Sequence, residues 1–400
     1  STHRQADTPD KRQTARSQSS PCPLHPKSHQ EAPSHLPPPP KPWIHHITLD
    51  TLLRVLRNTL LSPFIAWVIV LCLRAQVTPP TDPAFIIAVS YASALTLLFA
   101  ARSINHRVAH GTPRTVDSSS EVVLVTGGAS GLGQLIAQIY GMKGASVAVL
   151  DIKEISAKEQ DEGFGADVRY FQCDVGDRDA LEGVKFKIKE ELGTPTIIIN
   201  CAAARINGHS LLDLPAEAFE KTMRTNLMAA FYLYQVFLPG IIAEAENGGT
   251  VVTVSSVVGQ LSPAGLSDYS ASKAGLSALH RTMEAELRDN ERIKMLLVET
   301  GQMMTPLFDW LRTPNHFFAP VLEPVEVARE IVAAVDSGRG GVLRLPTFAK
   351  LVNWYAVLPG AIQRVARYLS EIDSAVFSSL PERDAGSEHR YPLRPTKKEN

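Results

Sequence analysis

Tyr269 and Lys273 stand four residues apart in a stretch, Asp268 to Leu287, whose pattern predicts a helix. At that spacing the two side chains share one helix face. The pairing has chemical content. A free phenol titrates near pH 10 and is a poor base at neutral pH. An ammonium one turn away favours the phenolate, as would the positive nicotinamide ring of an oxidised cofactor. Thirteen residues before the tyrosine, Ser256 follows Ser255 at the end of the apolar run Thr250-Val251-Val252-Thr253-Val254. A serine at such a strand end can hydrogen-bond a substrate oxygen. Taken alone, Tyr-x-x-x-Lys also describes an ordinary surface pair. What surrounds it decides between the two.

Far upstream, Val122-Val123-Leu124-Val125-Thr126 reads as a buried parallel strand. It runs into Gly127-Gly128-Ala129-Ser130-Gly131-Leu132-Gly133 and then into a helical pattern. Strand, glycine turn and helix together suit a phosphate. Glycines let the backbone come close, and the first N–H groups of the helix point at the anion. A second apolar strand, Ala145 to Leu150, ends in Asp151, about twenty residues beyond the glycines. A carboxylate there accepts from both hydroxyls of an adenosine ribose and repels a 2′-phosphate. NAD(H) is therefore expected over NADP(H), with Lys153 close enough to soften the preference.

Strands and helices alternate through this region. Strands are predicted at 121–126, 145–150, 168–171, 196–200, 250–255 and 293–298. Helices are predicted from 131, over 177–191, from 216, over 268–288 and over 324–335. Such alternation builds an α/β fold, a parallel sheet covered by helices on both faces, with its ligand beyond the carboxyl ends of the strands.

The motifs resemble those of the short-chain dehydrogenases/reductases. The matching residues are Thr126-Gly127-x-x-x-Gly131-x-Gly133, Cys173-Asp174-Val175, Asn200-Cys201-Ala202-Ala203, Thr225-Asn226, Ser255-Ser256, Tyr269-x-x-x-Lys273 and Gly301 through Thr305. They span about 120–310 in the family's order. The resemblance implies a Rossmann-type doubly wound sheet and a catalytic set of Ser256, Tyr269, Lys273 and Asn226. Tyr269 would be the general acid/base, Lys273 would lower its pKa and hold the ribose, and Ser256 would orient the substrate oxygen. Asn226 would support a proton-relay water. The implied cofactor-binding residues are Gly127, Ser130, Gly131, Leu132, Gly133, Asp151, Asp174, Val175, Asn200, Tyr269, Lys273 and Thr305. Asp174 matches an acid that contacts adenine, and Thr305 a residue that bonds the nicotinamide carboxamide. Two departures stand out. Ala203 replaces a glycine beside the cofactor, and Thr300-Gly301 replaces Pro-Gly ahead of the substrate loop.

That loop is rich in bulky apolar groups: Met303, Met304, Leu307, Phe308, Trp310, Leu311, Phe317 and Phe318. In the family this position is a substrate lid, and an apolar lid suits a lipophilic substrate. A plain core role is the other reading. Pro306, Pro314 and Pro320 argue against one regular helix there.

Outside the α/β unit the chain changes character. Residues 1–45 are polar and rich in Pro, Ser and His, and are expected to be disordered; the scattered His25, His29, His35, His45 and His46 are not taken as a metal site. Two uncharged apolar segments follow within 46–102, Thr59 to Leu73 and Phe85 to Ala101. Their place far behind a polar tail argues against a secretory signal. They are expected to form a membrane hairpin, or a span with an interfacial helix, with buried packing helices as the alternative. Arg54 and Arg57 before them, and Arg102, Arg107 and Arg114 after them, place both flanks on the cytoplasmic side. Residues 103–120 read as a linker and 121–345 as the dehydrogenase domain. An amphipathic C-terminal extension at 346–381 carries Arg364 and Arg367 and could lie on a bilayer or on the domain. A disordered tail is expected at 382–400.

With a formal net charge of −1, the chain has no basic field for nucleic acid. The four cysteines, Cys22, Cys72, Cys173 and Cys201, lie far apart with no metal-ligand spacing and read as reduced thiols. The anchor and C-terminal layout resemble the membrane-bound branch that includes retinol and 17-beta-hydroxysteroid dehydrogenases. That resemblance implies the endoplasmic reticulum or lipid droplet, a cytosolic catalytic domain and a homodimer. The expected activity interconverts a lipophilic alcohol and its carbonyl with NAD, NADP being the alternative. The competing readings are an NADPH-dependent ketoreductase of lipid synthesis and a membrane-tethered scaffold with weak catalysis.

Overall fold

A computed structural model describes residues 48–155 and 167–379, apart from 309, 312, 314–316 and 318. The tails expected at 1–45 and 382–400, Cys22, the scattered histidines, and Pro314 and Phe318 of the lid lie outside the described residues.

Seven strands form one parallel sheet: β1 Val122–Thr126, β2 Ser146–Asp151, β3 Val168–Gln172, β4 Ile197–Asn200, β5 Gly249–Ser256, β6 Ile293–Thr300 and β7 Gly341–Leu345. Their order is β3-β2-β1-β4-β5-β6-β7. The order reverses between β1 and β4, and the chain ends of these two strands diverge there to open a crevice. Alternate side chains divide the core. Val123, Val125, Val147 and Val149 face helices α4 (Gly131–Met142) and α10 (Pro324–Asp336). Leu124, Ala148, Leu150 and Ile198 face α5 (Arg178–Glu191), α7 (Ala229–Glu244) and α9 (Ser267–Glu286). This is the doubly wound sheet that the β-branched runs imply, since strands buried on both faces must be apolar throughout.

Helix α5 starts where Asp177 caps the N–H groups of Asp179 and Ala180. The helix that begins at Ala216 is broken. Helix α6 (Ala216–Met223) passes through a π-helical turn, Arg224–Met228, before α7 continues. β7 was not foreseen as a strand. It is an edge strand whose residues after Gly341 are only partly covered, so its sequence carries no continuous apolar run.

Helices α1 (Leu49–Asn58), α2 (Pro63–Ala75) and α3 (Pro83–His110) precede the sheet. The first apolar segment is carried mainly by α2, and α1, which precedes it, meets α2 at a 46° bend. The second segment runs longer than its uncharged core. Helix α3 continues through Arg102 and Arg107 to a stop at Gly111, φ 71°, so the polar stretch after Ala101 begins as helix. At about 1.5 Å per residue, α2 covers roughly 20 Å and α3 roughly 42 Å, against about 30 Å of bilayer hydrocarbon. Pro83–His110 is long and apolar enough to cross a membrane; Ala216–Glu244 also meets that test, but it packs on the sheet with Asn226, Leu233 and Phe237 buried.

After β7 come α11 (Ala349–Ala356), α12 (Gly360–Ser370) and α13 (Ile372–Ser379). The extension turns Arg367 inward. Its guanidinium donates to Leu261 O at 2.7 Å and Ser262 O at 3.1 Å and pairs with Asp373. Leu351, Trp354, Ile362, Val365 and Tyr368 remain exposed.

Candidate active site

The crevice at the strand reversal is a cavity of about 830 Å³. Its walls gather Gly127, Ser130, Gly131, Leu132, Gly133, Asp151, Asp174, Val175, Tyr269, Lys273 and Thr305. Eleven of the fourteen predicted site residues thus meet in one place. Asn200, Asn226 and Ser256 are not among its lining residues.

The glycine turn is shaped for close approach. Gly127 has φ +67°, and a Cβ there would fall 2.8 Å from Ala202 Cα. At Gly133 a Cβ would fall 2.4 Å from Gly127 O. Turn and helix are therefore nested against each other with no room for side chains. Ser130 is the N-cap of α4 yet makes no side-chain cap bond, which leaves the first N–H groups of the helix for an anion. Asp151 closes β2, its Oδ2 accepting from Ala129 N at 3.0 Å and its Oδ1 from Lys153 N at 3.1 Å. Those bonds fix the carboxylate at the edge of the cavity. Asp174 accepts from Gly176 N at 2.8 Å and pairs with Arg224 at 3.0 Å.

Asn200 supports this turn from behind. Its Oδ1 accepts from Thr126 Oγ1 at 2.8 Å, and Thr126 Oγ1 accepts from Ala202 N at 3.2 Å. The ends of β1 and β4 are thereby tied together at the reversal.

Tyr269 and Lys273 lie on α9 and are each 3% exposed. Lys273 Nζ donates to Val254 O at 2.9 Å and sits 5.7 Å from the centroid of the Tyr269 ring. Burial pulls the Lys273 ammonium down to about 8. Burial also pushes the Tyr269 phenol well above its ordinary value, and the neighbouring Ser256 hydroxyl opposes that rise. The lysine Nζ is directed at the Val254 carbonyl. Ser256 Oγ otherwise donates to Thr300 O at 3.0 Å, while Ser255 Oγ lies against Lys273 O and Ser277.

Asn226 sits in the π-turn and is fully buried. Its Oδ1 accepts from Ala204 N at 2.7 Å and its Nδ2 donates to Ser272 Oγ at 2.9 Å; Ser272 Oγ then donates to Tyr269 O at 2.8 Å. A chain of bonds thus joins the turn after β4 to the backbone of the candidate catalytic tyrosine.

Tyr269 is buried in an apolar cluster. Ile206, Leu266, Phe308 and Val376 bury with it, and Leu307, Trp310 and Leu311 pack around them. The apolar loop divides between the two roles foreseen for it: Met303 and Phe308 are buried, whereas Met304 and Phe317 are exposed. Arg224, Ser272 and Val376 were missed by sequence reasoning. Ser272 and Arg224 adjoin recognised motifs, but nothing local marks Val376, which arrives from more than a hundred residues away.

Comparison with known proteins fits this geometry. The short chain dehydrogenase family model matches residues 121–315. Epidermal retinol dehydrogenase 2 of Mus musculus is 32% identical over 54% of this chain and 71% of its own length. Short-chain dehydrogenase/reductase 3 of Bos taurus is 32% identical over 61% of this chain and 82% of its own. An uncharacterized oxidoreductase of Saccharomyces cerevisiae is 29% identical over 66% of this chain and 85% of its own. The chain belongs to the short-chain dehydrogenase/reductase family. It is an oxidoreductase that interconverts an alcohol and a carbonyl, and its family uses a nicotinamide dinucleotide. The cradle at Gly127 and Gly133, the uncapped start of α4 and the Asp151 carboxylate fit such a cofactor.

Proposed function

We propose that this dehydrogenase is membrane-anchored, prefers NAD(H), and acts on a lipophilic alcohol of retinoid, steroid or long-chain type. The observation that carries the reading is the surroundings of Tyr269. Tyr269 shares one cavity with the glycine turn, Asp151, Leu307 and Phe308, and it is buried in an apolar cluster with Ile206, Leu266, Phe308 and Val376 that forms a wall behind it. A substrate whose carbinol reaches Tyr269 must rest its chain on that wall, where burial of apolar area holds it at about 25 cal/mol per Å².

The hydride is taken up or returned by the nicotinamide dinucleotide, and that is the chemistry the cofactor supplies. Tyr269 takes the hydroxyl proton in oxidation and returns it in reduction. Ser256, the neighbour that already favours its phenolate, orients the substrate oxygen. Lys273 holds the ribose and, through Val254 O, the end of β5. Asn226 and Ser272 fix the first turn of α9, so the phenol is held in place before the substrate arrives. The glycine turn and α4 hold the pyrophosphate, Asp151 the ribose hydroxyls, Asp174 and Val175 the adenine end, and Thr305 the carboxamide.

The membrane part rests on α3, whose length exceeds the bilayer core, and on Phe64, Leu71, Ile87, Leu97, Leu98 and Phe99, all exposed on α2 and α3. Trp67 Nε1 bonds Thr96 Oγ1 at 2.9 Å and Tyr91 OH bonds Leu60 O at 2.6 Å, which pairs the two helices. Burial depresses the Lys350 ammonium, and Arg57 and Arg102, which both bear on it, add to that. That places three cations at one end of the helices and favours a cytosolic domain, on the endoplasmic reticulum or a lipid droplet.

The test is titration of the detergent-solubilised full chain with NADH and then NADPH, followed by oxidation of all-trans-retinol, a 3-hydroxysteroid and 1-decanol. Tighter NADH and turnover of at least one lipid alcohol is the expected result. Tighter NADPH with reduction only would replace this reading with a ketoreductase. Cofactor binding without turnover would replace it with a scaffold. Release of the protein from membranes by alkaline carbonate would remove the anchor.

A further inference from the structure

We infer that the first turn of α1 is part of the active-site architecture: Leu49 and Asp50 position the lid formed by residues 303–322. The inference rests on the reading of that segment as the substrate lid.

The lid leaves β6 at Gly301 and is closed at its base. Met304 N donates to Leu322 O and Leu322 N to Gln302 O, both at 2.9 Å. The Gln302 side chain braces it from within, donating to Leu311 O at 2.5 Å and accepting from Thr313 Oγ1 at 2.7 Å. The apolar face of this loop, through Phe308, covers Tyr269.

Two consecutive residues of α1, from the far end of the sequence, reach this loop and the segment beside its hinge. Leu49 N donates to Phe317 O at 3.0 Å, on the lid itself. Asp50 Oδ1 accepts from Thr347 N at 2.8 Å, across 297 residues. Thr347 lies between Pro346 and Phe348, the two residues that pack on the lid's hinge. A Cβ built on Gly301 would fall 2.9 Å from Pro346 Cδ and 3.4 Å from Phe348 Cε1, and Gly301 N donates to Leu345 O at 2.7 Å. One helical turn therefore holds the lid at its outer arm and, through Thr347, at its hinge. Thr48 already caps α1 by accepting from Thr51 N at 3.2 Å, so the Asp50 carboxylate is free for this second task. Because α1 leads directly into α2, the apolar helices also set the opening through which a lipophilic alcohol reaches Tyr269.

Hydrogen exchange read by mass spectrometry on the full chain in detergent tests this without requiring turnover. Leu49→Pro removes only the N–H given to Phe317, since proline is tolerated at the first helical position and Thr48, ψ 161°, suits the residue before it. Leu49→Ala keeps that N–H and serves as its control. Asp50→Ala removes the acceptor for Thr347; Asp50→Asn keeps a carbonyl oxygen there but loses the charge. Exchange across 302–322 is expected to rise about fivefold in Leu49→Pro and Asp50→Ala, the loss of one modest hydrogen bond each. Leu49→Ala and Asp50→Asn should stay near wild type, as should β1 and β5 in every variant. Where 1-decanol is turned over, KM should rise and kcat change little. Unchanged exchange over 302–322 in both disruptive variants overturns the inference. So does Asp50→Asn matching Asp50→Ala, which would assign Asp50 to the helix dipole alone, or a rise that spreads to β1. A lid response without turnover of any alcohol would count against the proposed substrate class and leave the lid contact established.

Discussion

The Phe308 ring meets Tyr269 edge-on, with centroids 6.1 Å apart and planes at 87°. An edge contact of this kind contributes about 0.5–1.5 kcal/mol beyond the area it buries. Since Phe308 comes from the lid and Tyr269 from α9, the contact joins the movable wall of the cavity to its reacting group. Phe308→Ala should raise KM for an apolar alcohol about tenfold, the equivalent of roughly 1.4 kcal/mol of substrate binding. NADH affinity, measured by fluorescence titration, should stay unchanged. Weakened NADH binding would instead place Phe308 on the cofactor side.

Lys273 gives a pH signature. Its ammonium is held down to about 8 by burial, from an ordinary 10.5. Between those values the unfolded chain binds more protons than the folded one, so folded-state stability rises with pH across that window. The slope is up to about 1.4 kcal/mol per pH unit. Lys273→Met carries no titrating group and should lose this part of the slope. Unfolding midpoints at pH 7.5, 8.5 and 9.5 should converge or cross for wild type and variant. Parallel curves would show that the lysine titrates normally.

The sheet was legible because five of its strands are apolar runs buried on both faces, and such runs have few other uses. The glycine turn, Asp151 and the Tyr269–Lys273 spacing were legible for a related reason: each places its groups through purely local geometry. What escaped is what arrives from a distance. β7 is half covered and reads like a loop. Arg367 sits on an amphipathic pattern that suits a bilayer, and only the fold shows its guanidinium turned to Leu261, Ser262 and Asp373. The proximity of Tyr269 and Lys273 was legible, but the bond from Lys273 to Val254 O was not, because it depends on where β5 ends.

Asp151 is expected to set both cofactor choice and local stability. Its two oxygens hold the N–H groups of Ala129 and Lys153, so removing the carboxylate leaves two backbone donors without this acceptor. Asp151→Ala should shift the ratio of NADPH to NADH affinity by at least about tenfold toward NADPH, as repulsion of the 2′-phosphate and the ribose bonds are both lost. It should also lower the unfolding midpoint, since each lost bond costs on the order of 1 kcal/mol. A variant that destabilises but keeps its preference for NADH would show that Asp151 only braces the turn.

Gly133 separates a close approach from mere helix propensity. A Cβ at this position would lie 2.4 Å from Gly127 O and 3.0 Å from Gly128 Cα, both backbone atoms of the glycine turn. Neither can rotate away as a side chain could, so Gly133→Ala must push the start of α4 off the turn. Gly183, in the middle of α5, is the control, because a Cβ there would meet nothing within 4 Å. Gly183→Ala should raise the unfolding midpoint, since alanine is favoured over glycine in a helix interior by about 0.5–1 kcal/mol. Gly133→Ala should lower the midpoint and weaken NADH binding by more than about a hundredfold, a loss of some 2.7 kcal/mol. The comparison isolates the cause, because propensity favours alanine at both sites and only the cradle opposes it at one. If both substitutions stabilise and NADH still binds, the pyrophosphate does not sit in the turn between β1 and α4.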